Sequence, residues 1–239
     1  MPDYKPLYVF SRDYALEHNH RDIWKESYRE NCNCARAIER AIAEHYKDNR
    51  LGVCAPEIIS RYGFDRVNWV LANTIQEKNH DGRFSKENKL WANKHYIPQE
   101  DTCWYFTVES HPGLVNMFAD QAREAWSALG LFDAEHCEGE NFFDVDLTNK
   151  VCVLKGTALK DEYRKPEFQL FLACSGFGCK PDALGTKVFG KFLIDDEDAS
   201  FARADFIGVI KEECLPEWAT EKMAKMHETE SEDMTMGGI

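Results

Sequence analysis

The first 130 residues place apolar and polar side chains at helical spacing. In the longest such segment, apolar residues recur at intervals of three, four and seven positions, as on one face of an amphipathic helix. Five helices are predicted on this basis, over residues 20–49, 56–63, 65–78, 86–95 and 112–130. Helix-starting residues support four of them, with Pro56 and Pro112 near first helical positions and Asp65 and Ser85 as N-caps.

The pattern changes in the second half of the chain, where short β-branched and aromatic segments predominate. VCVLK (151–155) and TKVFGKFLI (186–194) are predicted strands, and LPEWATEKMAKM (215–226) is a predicted helix. ARADFIGVIKEE is compatible with either a strand or a helix. One further strand, CWYFTV (103–108), is predicted in the first half.

An acid-rich segment separates the two patterns. Residues 133–146, DAEHCEGENFFDVD, hold six acidic residues and no Lys or Arg, which favours a domain boundary. We therefore predict an α+β protein: a mainly helical N-terminal domain with a small strand element (1–132), then a smaller α/β C-terminal domain (147–226). The polar residues 227–239 are predicted to be a disordered tail.

Charge is distributed unevenly along the chain, whose net charge is −13. Residues 1–100 hold 16 Lys and Arg against 15 Asp and Glu, whereas residues 101–239 hold 13 against 27. An acidic surface argues against direct binding to nucleic acid or to membranes, and suits a basic protein partner or simple solubility.

The chain has no apolar run near the roughly 18 residues of a membrane span. Its first residues also lack the basic and apolar pattern of a secretory signal, so we expect a cytoplasmic protein. The nine cysteines are then expected to be mainly reduced.

The stretch NHDGRFSKEN (79–88) is the first candidate site. Asp81-Gly82 is a turn signal in which Gly82 is expected to supply a positive φ, and Ser85 is placed to cap the next helix. Arg83 and Lys86 flank that helix start, where free backbone N–H groups favour an anion. Two interpretations remain open: a phosphate or carboxylate site, or a turn whose arginine pairs with a nearby acid.

Two other segments suggest anion or partner binding. Ser110 and His111 precede Pro112 at a second helix start, where they cap the helix or bind an anion. Gly176 and Gly178 form a G-x-G after an apolar segment, which is found both in phosphate-binding loops and in tightly packed loops.

Catalytic and metal sites are not predicted. No serine or cysteine nucleophile stands at a recognisable spacing from His111, and Cys32-x-Cys34 and Cys174-x₄-Cys179 lack the paired spacing of structural zinc sites. The acidic run 195–198 is interpreted as a solvated turn. We predict no catalytic residue, metal or cofactor.

Several of these segments, taken in order, resemble an uncharacterised bacterial family, domain of unknown function 3849, over about residues 7–125. They are PLYVFSRDYALEHNH, YRENCNCARAIERAI, YGFDRVNWVLANTIQ, DGRFSKENKLWA and SHPGLV. The segments QLFLACSGFGCKPDALGTKVFGKFL and RADFIGVIKEECLPEWA resemble the region that often follows that domain. The resemblance implies an origin in conjugative and other mobile elements of gut Firmicutes, and it carries over no catalytic residues. Asp196 departs from it, because relatives tend to have glycine in that turn.

These observations favour a non-catalytic accessory protein of a mobile element that binds a host or element protein. The partner could itself bind nucleic acid, as an anti-defence role through an acidic surface would require. One alternative is an enzyme or effector acting on a nucleotide or nucleic acid through Arg83, Lys86, Ser110 and His111. Another takes residues 56–63 and 65–78 as a helix-turn-helix. The partner and the oligomeric state are left open.

Overall fold

The chain forms two compact units in a computed structural model, residues Met1–Ala128 and Leu129–Ile239. The structure describes residues 5–98, 106–139, 142–181 and 185–236, except for the side chains of residues 143 and 227–236. The first unit is helical and the second contains a sheet, as the predicted α+β class requires. The division falls before the acid-rich segment 133–146, which belongs to the second unit.

The N-terminal unit contains six helices and one very short hairpin within its described residues. The helices are α1 (Arg12–Glu17), α2 (Arg21–His45), α3 (Ala55–Tyr62), α4 (Phe64–Glu77), α5 (Lys86–Ala92) and α6 (Pro112–Ser127). The hairpin pairs β1 (Tyr46–Lys47) with β2 (Arg50–Leu51) in antiparallel register. The predicted helix 20–49 therefore ends at His45, because Asp48 and Asn49 adopt positive φ angles that turn the chain.

Helix α4 lies at the centre of this unit. Its apolar residues Val67, Val70, Leu71 and Ile75 are fully buried in a core shared with α2, α3 and α6. In α4 only Glu77 is exposed. The helix-turn-helix alternative is therefore wrong, because a recognition helix must present its side chains to a DNA groove.

Two local predictions around the first unit's turns are also wrong. The start of α4 is capped by Gly63, whose φ of 78° turns the chain directly from α3 into α4, and not by Asp65. Gly82 has no positive φ, because the turn is made by the Asp81 carboxylate, which accepts the backbone N–H of Arg83 at 2.9 Å.

The predicted strand 103–108 lies partly outside the described residues, since 103–105 are not described. Its remaining part, 106–108, is not a strand: the backbone N–H of Val108 donates to the side-chain hydroxyl of Thr74 rather than to a neighbouring strand.

The C-terminal unit is built on a five-stranded antiparallel sheet. The strands are β3 (Lys150–Leu154), β4 (Leu170–Ser175), β5 (Lys187–Phe192), β6 (Asp198–Ala202) and β7 (Phe206–Val209), in the order β6-β5-β4-β3-β7. Alternate residues of β3 and β4 enter two apolar clusters, one containing Cys152 and Phe171 and the other containing Val153 and Leu172. The second cluster includes Ala219 of helix α8 (Glu217–Met236), so α8 covers one face of the sheet.

The acid-rich segment packs onto the second unit instead of forming a free linker. Val145 is buried in the core of that unit, as is Leu147 directly after the segment, and the Arg203 guanidinium donates to the carbonyl oxygens of Phe142 and Val145. At the other end, α8 continues through Met236, so residues 227–236 are helical where the sequence predicted a disordered tail.

Candidate functional site

Arg83 is paired with the acid two residues before it. Its Nε lies 2.9 Å from Asp81 Oδ1 and its Nη2 lies 2.5 Å from Asp81 Oδ2, a two-pronged pair. The pair holds the pKa of Asp81 well below its usual range. The Arg83 guanidinium is therefore already paired with a carboxylate. This agrees with the interpretation of the stretch as a turn whose arginine pairs with a nearby acid.

His111 lies beside Arg83, although 28 residues separate them. Arg83 Nη1 is 3.2 Å from His111 Nε2, and the backbone N–H of Gly113 is 3.2 Å from His111 Nδ1. A neutral imidazole accepts a hydrogen bond at only one nitrogen, so only one of these contacts is a hydrogen bond at a time. Both side chains are exposed, and His111 occupies the N-cap position of α6.

Ser85 caps α5 as predicted, since its Oγ accepts the backbone N–H of Asn88 at 3.1 Å. Its own N–H donates to Asn116 Oδ1 at 2.8 Å, which fixes the helix start against α6. Lys86 is exposed at the first position of α5, and Ser110 is half-buried before α6. The structure thus brings Arg83 and His111 together on an open surface and uses Ser85 for helix packing.

Gly176 and Gly178 permit a close approach between two backbone segments. A Cβ on Gly176 would lie 2.4 Å from the carbonyl oxygen of Lys187, and one on Gly178 would lie 2.2 Å from that of Thr186. Gly176 also has a φ of 106°, which L-residues rarely adopt. The tightly packed loop is therefore sufficient to explain both glycines.

A cleft between α2 and α3 offers a different kind of site. Its volume is about 820 Å³, and most of its lining side chains are charged. Arg36 and Arg40 reach it from α2, and Arg61 reaches it from α3. These three arginines are exposed, and no ion pair involving them occurs within the described residues.

The other charged groups of this cleft are already engaged. Lys5 pairs with Glu26 and Glu30 at 3.3 and 3.2 Å, and the Glu39 carboxylate accepts the backbone N–H of Glu109 at 2.8 Å. Arg66 is only 3% exposed and donates to protein acceptors. The exposed and unpaired positive charge of the cleft is therefore concentrated on Arg36, Arg40 and Arg61. The guanidinium of Arg61 also lies over the Tyr62 ring at 5.2 Å.

The sequence analysis did not identify this cleft. The signal for it was the like-charged pair Arg36 and Arg40, four residues apart on one helix, which disfavours the helix slightly unless an anion lies between them. Arg61 could not be added from sequence, since its position depends on how α3 packs against α2.

The described residues contain no group of three or more His, Cys, Asp or Glu side chains that could hold a metal ion. Six of the described cysteines are free thiols: Cys34, Cys54, Cys137, Cys152, Cys179 and Cys214. No helix in the described part of the chain combines the length and apolar character needed to span a membrane.

Comparison with known proteins gives one match. The family described as protein of unknown function, DUF3849, matches residues 7–127. No curated protein and no solved structure matches the chain. The family match spans just over half of the 239 residues and falls within the helical unit. The chain therefore belongs to the DUF3849 family.

Proposed function

We propose that this protein is a non-catalytic binding protein whose helical unit binds an acidic segment of a partner protein in the α2–α3 cleft. The observation that carries the proposal is the set of three exposed arginines, Arg36, Arg40 and Arg61, around a cleft of about 820 Å³. Guanidinium groups match carboxylates in a two-pronged geometry, which makes arginine the usual residue for recognising acidic groups.

The local electrostatics favour an anionic ligand. Arg36 and Arg40 are neighbours on one helix face and repel each other, which costs roughly 0.2–0.5 kcal/mol in an isolated helix. A carboxylate placed between them removes that repulsion and adds attraction. Arg61, supported by the face of Tyr62, contributes a third charge from the opposite wall.

A protein partner fits the charge distribution better than nucleic acid. The chain carries a net charge of −13 that is concentrated in residues 101–239, so a long polyanion is repelled by the second half of the chain. Glu30 and Glu39 also lie within the cleft and break up its positive potential. A short acidic segment contacts only the three arginines and avoids the remaining acidic surface.

The proposal that the protein is non-catalytic is supported by the contacts of three candidate residues from the sequence, Arg83, Ser85 and His111. Arg83 is held by Asp81, and Ser85 serves as a cap on α5. His111 is the N-cap of α6 on an exposed surface, and this arrangement does not supply the water-excluded site that activates a nucleophile.

The wider role that we propose is that of an accessory protein in a conjugative or other mobile element. This part of the proposal is supported by the family resemblance and not by the cleft. The acidic second half of the chain would then provide a second surface, for a basic partner such as a nucleic-acid-binding defence protein.

Binding of a short fluorescein-labelled, glutamate-rich peptide tests the cleft, with fluorescence anisotropy at low and at physiological salt as the measurement. The test variant replaces Arg36, Arg40 and Arg61 with Gln. The control replaces three other exposed basic residues with Gln, namely Lys25, Arg29 and Arg50, so that the net charge changes equally.

Three exposed ion pairs at roughly 0.5 kcal/mol each contribute about 1.5 kcal/mol, so the cleft variant should bind the peptide about tenfold more weakly than the native protein. The control variant should stay within about twofold of native. Equal weakening of the two variants would refute the cleft as the site. Tighter binding of a single-stranded DNA of similar length would refute the choice of a protein partner.

A further inference from the structure

A second pocket lies on another side of α2, and aromatic rings form most of its wall. The aromatic side chains that line it are Tyr8, Phe10, Trp24, Tyr28, Trp69 and Phe106. Tyr28 stacks on Trp24 with ring centroids 5.5 Å apart and meets Phe106 edge-on at 5.8 Å, so the rings support one another. No charged side chain is among the described residues that line this pocket.

Three polar side chains also line the pocket, and two of them are engaged elsewhere. Ser27 Oγ accepts the backbone N–H of Tyr8 at 2.9 Å, and Asn31 Oδ1 accepts a hydrogen bond from Arg66. The third is Asn73 on α4, which is 2% exposed. Its Nδ2 is fully shielded and has no hydrogen-bond partner within the described chain.

A buried amide donor without an acceptor makes the free energy of folding less favourable. Leaving such a donor without an acceptor destabilises a protein, because the donor loses the hydrogen bonds that it makes to water in the unfolded chain. Asn73 lines the pocket, so a ligand that enters it can supply the missing acceptor once the Asn73 amide turns its Nδ2 toward it. The fold therefore does not use the Asn73 Nδ2 donor, and a ligand can use it.

The size and lining of the pocket define the chemistry of that ligand. The cavity is about 40 Å³, a few times the roughly 10–15 Å³ that a site for one water molecule needs, so only a small polar end enters it. The rest of the ligand must lie against the aromatic rim, where Phe10 is 52% exposed, and flat rings suit such a surface. A charged ligand would lose its hydration without meeting an opposite charge.

We propose that this pocket binds an uncharged planar small molecule through a carboxamide or lactam group. The carbonyl oxygen accepts a hydrogen bond from Asn73 Nδ2, while the ring stacks on the aromatic rim. This site is separate from the arginine cleft in its residues and in its ligand class, so either proposal stands if the other fails.

A matched series of ring compounds tests each premise by calorimetry and ligand-observed NMR on the full chain. Benzamide has the ring and the carboxamide, toluene lacks the polar group, benzoate carries a negative charge and benzylammonium a positive one. Benzamide should bind at least about tenfold more tightly than the other three, because only benzamide satisfies Asn73 without a charge to desolvate. Preference for benzylammonium would show a cation-binding aromatic cage and would overturn the proposal.

Variants of Asn73 separate a ligand site from a structural residue. Asn73→Leu should raise the melting temperature, because it removes the unpartnered donor and fills the cavity, yet it should abolish benzamide binding. Asn73→Ser should weaken binding by at least about tenfold while leaving the aromatic wall intact. Asn68→Ser is the control, since Asn68 lies on the same helix outside the pocket lining and should leave benzamide binding unchanged.

The outcomes decide the proposal in either direction. Selective benzamide binding that Asn73→Ser weakens and Asn68→Ser preserves would support it. If the native protein binds no compound of the series, the cavity holds water only, and the proposal fails even when Asn73→Leu is more stable.

Discussion

Replacing Arg66 with Met tests how the first unit is held together. The Arg66 side chain is 3% exposed, and burial lowers its pKa. Its guanidinium donates to the carbonyl oxygen of Ser27 at 2.9 Å and to Asn31 Oδ1. It also donates to the carbonyl oxygens of Lys5 and Pro6 at 2.9 and 2.8 Å. Met keeps much of the volume of this side chain and removes every donor.

The expected loss follows from which acceptors remain buried. Lys5 and Pro6 are exposed, so water can replace the arginine at their carbonyl oxygens. Ser27 and Asn31 are 2% and 4% exposed. Asn31 Oδ1 would be left without a donor, whereas the Ser27 carbonyl oxygen keeps the helical N–H of Asn31 and loses a hydrogen bond from a charged group. At roughly 1.5 kcal/mol for each of these two losses, Arg66→Met should lower the free energy of unfolding by about 3 kcal/mol.

Urea denaturation followed by tryptophan fluorescence measures this loss. The signal reports mainly on the first unit, because Trp218 is the only tryptophan in residues 129–239. Arg61→Met is the matched control: Arg61 is exposed, so its replacement should change stability by less than about 0.5 kcal/mol. A loss below about 1 kcal/mol for Arg66→Met would refute the role given to this arginine.

Three further predictions concern single side chains. Ser85→Ala should lower stability in the same urea assay by about 1 kcal/mol through the lost cap, and an unchanged midpoint would contradict this. Asp196 has a φ of 61° and pairs with two lysines, so Asp196→Gly should be about 1 kcal/mol more stable than Asp196→Ala, since only Gly relieves the left-handed backbone. Equal melting temperatures of these two variants would argue against that strain. In the native protein a thiol reagent should modify the exposed Cys174 before Cys34 and Cys152, whose pKa burial raises to about 12; comparable rates under mass spectrometry would show otherwise.

Helix boundaries could be predicted from sequence where a local contact sets them. Ser85 caps α5 and Pro112 starts α6, because a side-chain oxygen or a fixed φ acts within a few residues of its own position. The Gly63 start of α4 was missed, since a cap without a side chain leaves little signal. The end of the long helix α2 was also placed too late, because the hairpin that follows His45 has no strong apolar pattern.

The candidate sites were less predictable because they depend on packing between distant segments. Arg83 and His111 were both selected from local patterns, but their contact across 28 residues follows from the packing of α5 against α6. The arginine cleft needs α3 beside α2, and the aromatic pocket needs Asn73 turned inward on a buried helix. From sequence, a polar residue on an apolar helix face cannot be told from a tolerated substitution. Only the structure shows that the Asn73 side chain lacks a hydrogen-bond partner.

The two proposed sites are linked by one hydrogen bond, and this decides which variants can test them. Asn31 lines the aromatic pocket, and its Oδ1 accepts a hydrogen bond from Arg66, which lines the arginine cleft. A change at Arg66 therefore disturbs both sites and the fold at once, so it cannot identify a ligand for either. Arg36, Arg40 and Arg61 are exposed, and Asn73 makes no hydrogen bond through its Nδ2 to the described chain. Substitutions at these four positions remove recognition groups without removing an ion pair of the described chain or a hydrogen bond from Asn73 Nδ2, so loss of binding in well-folded variants reports on the site itself.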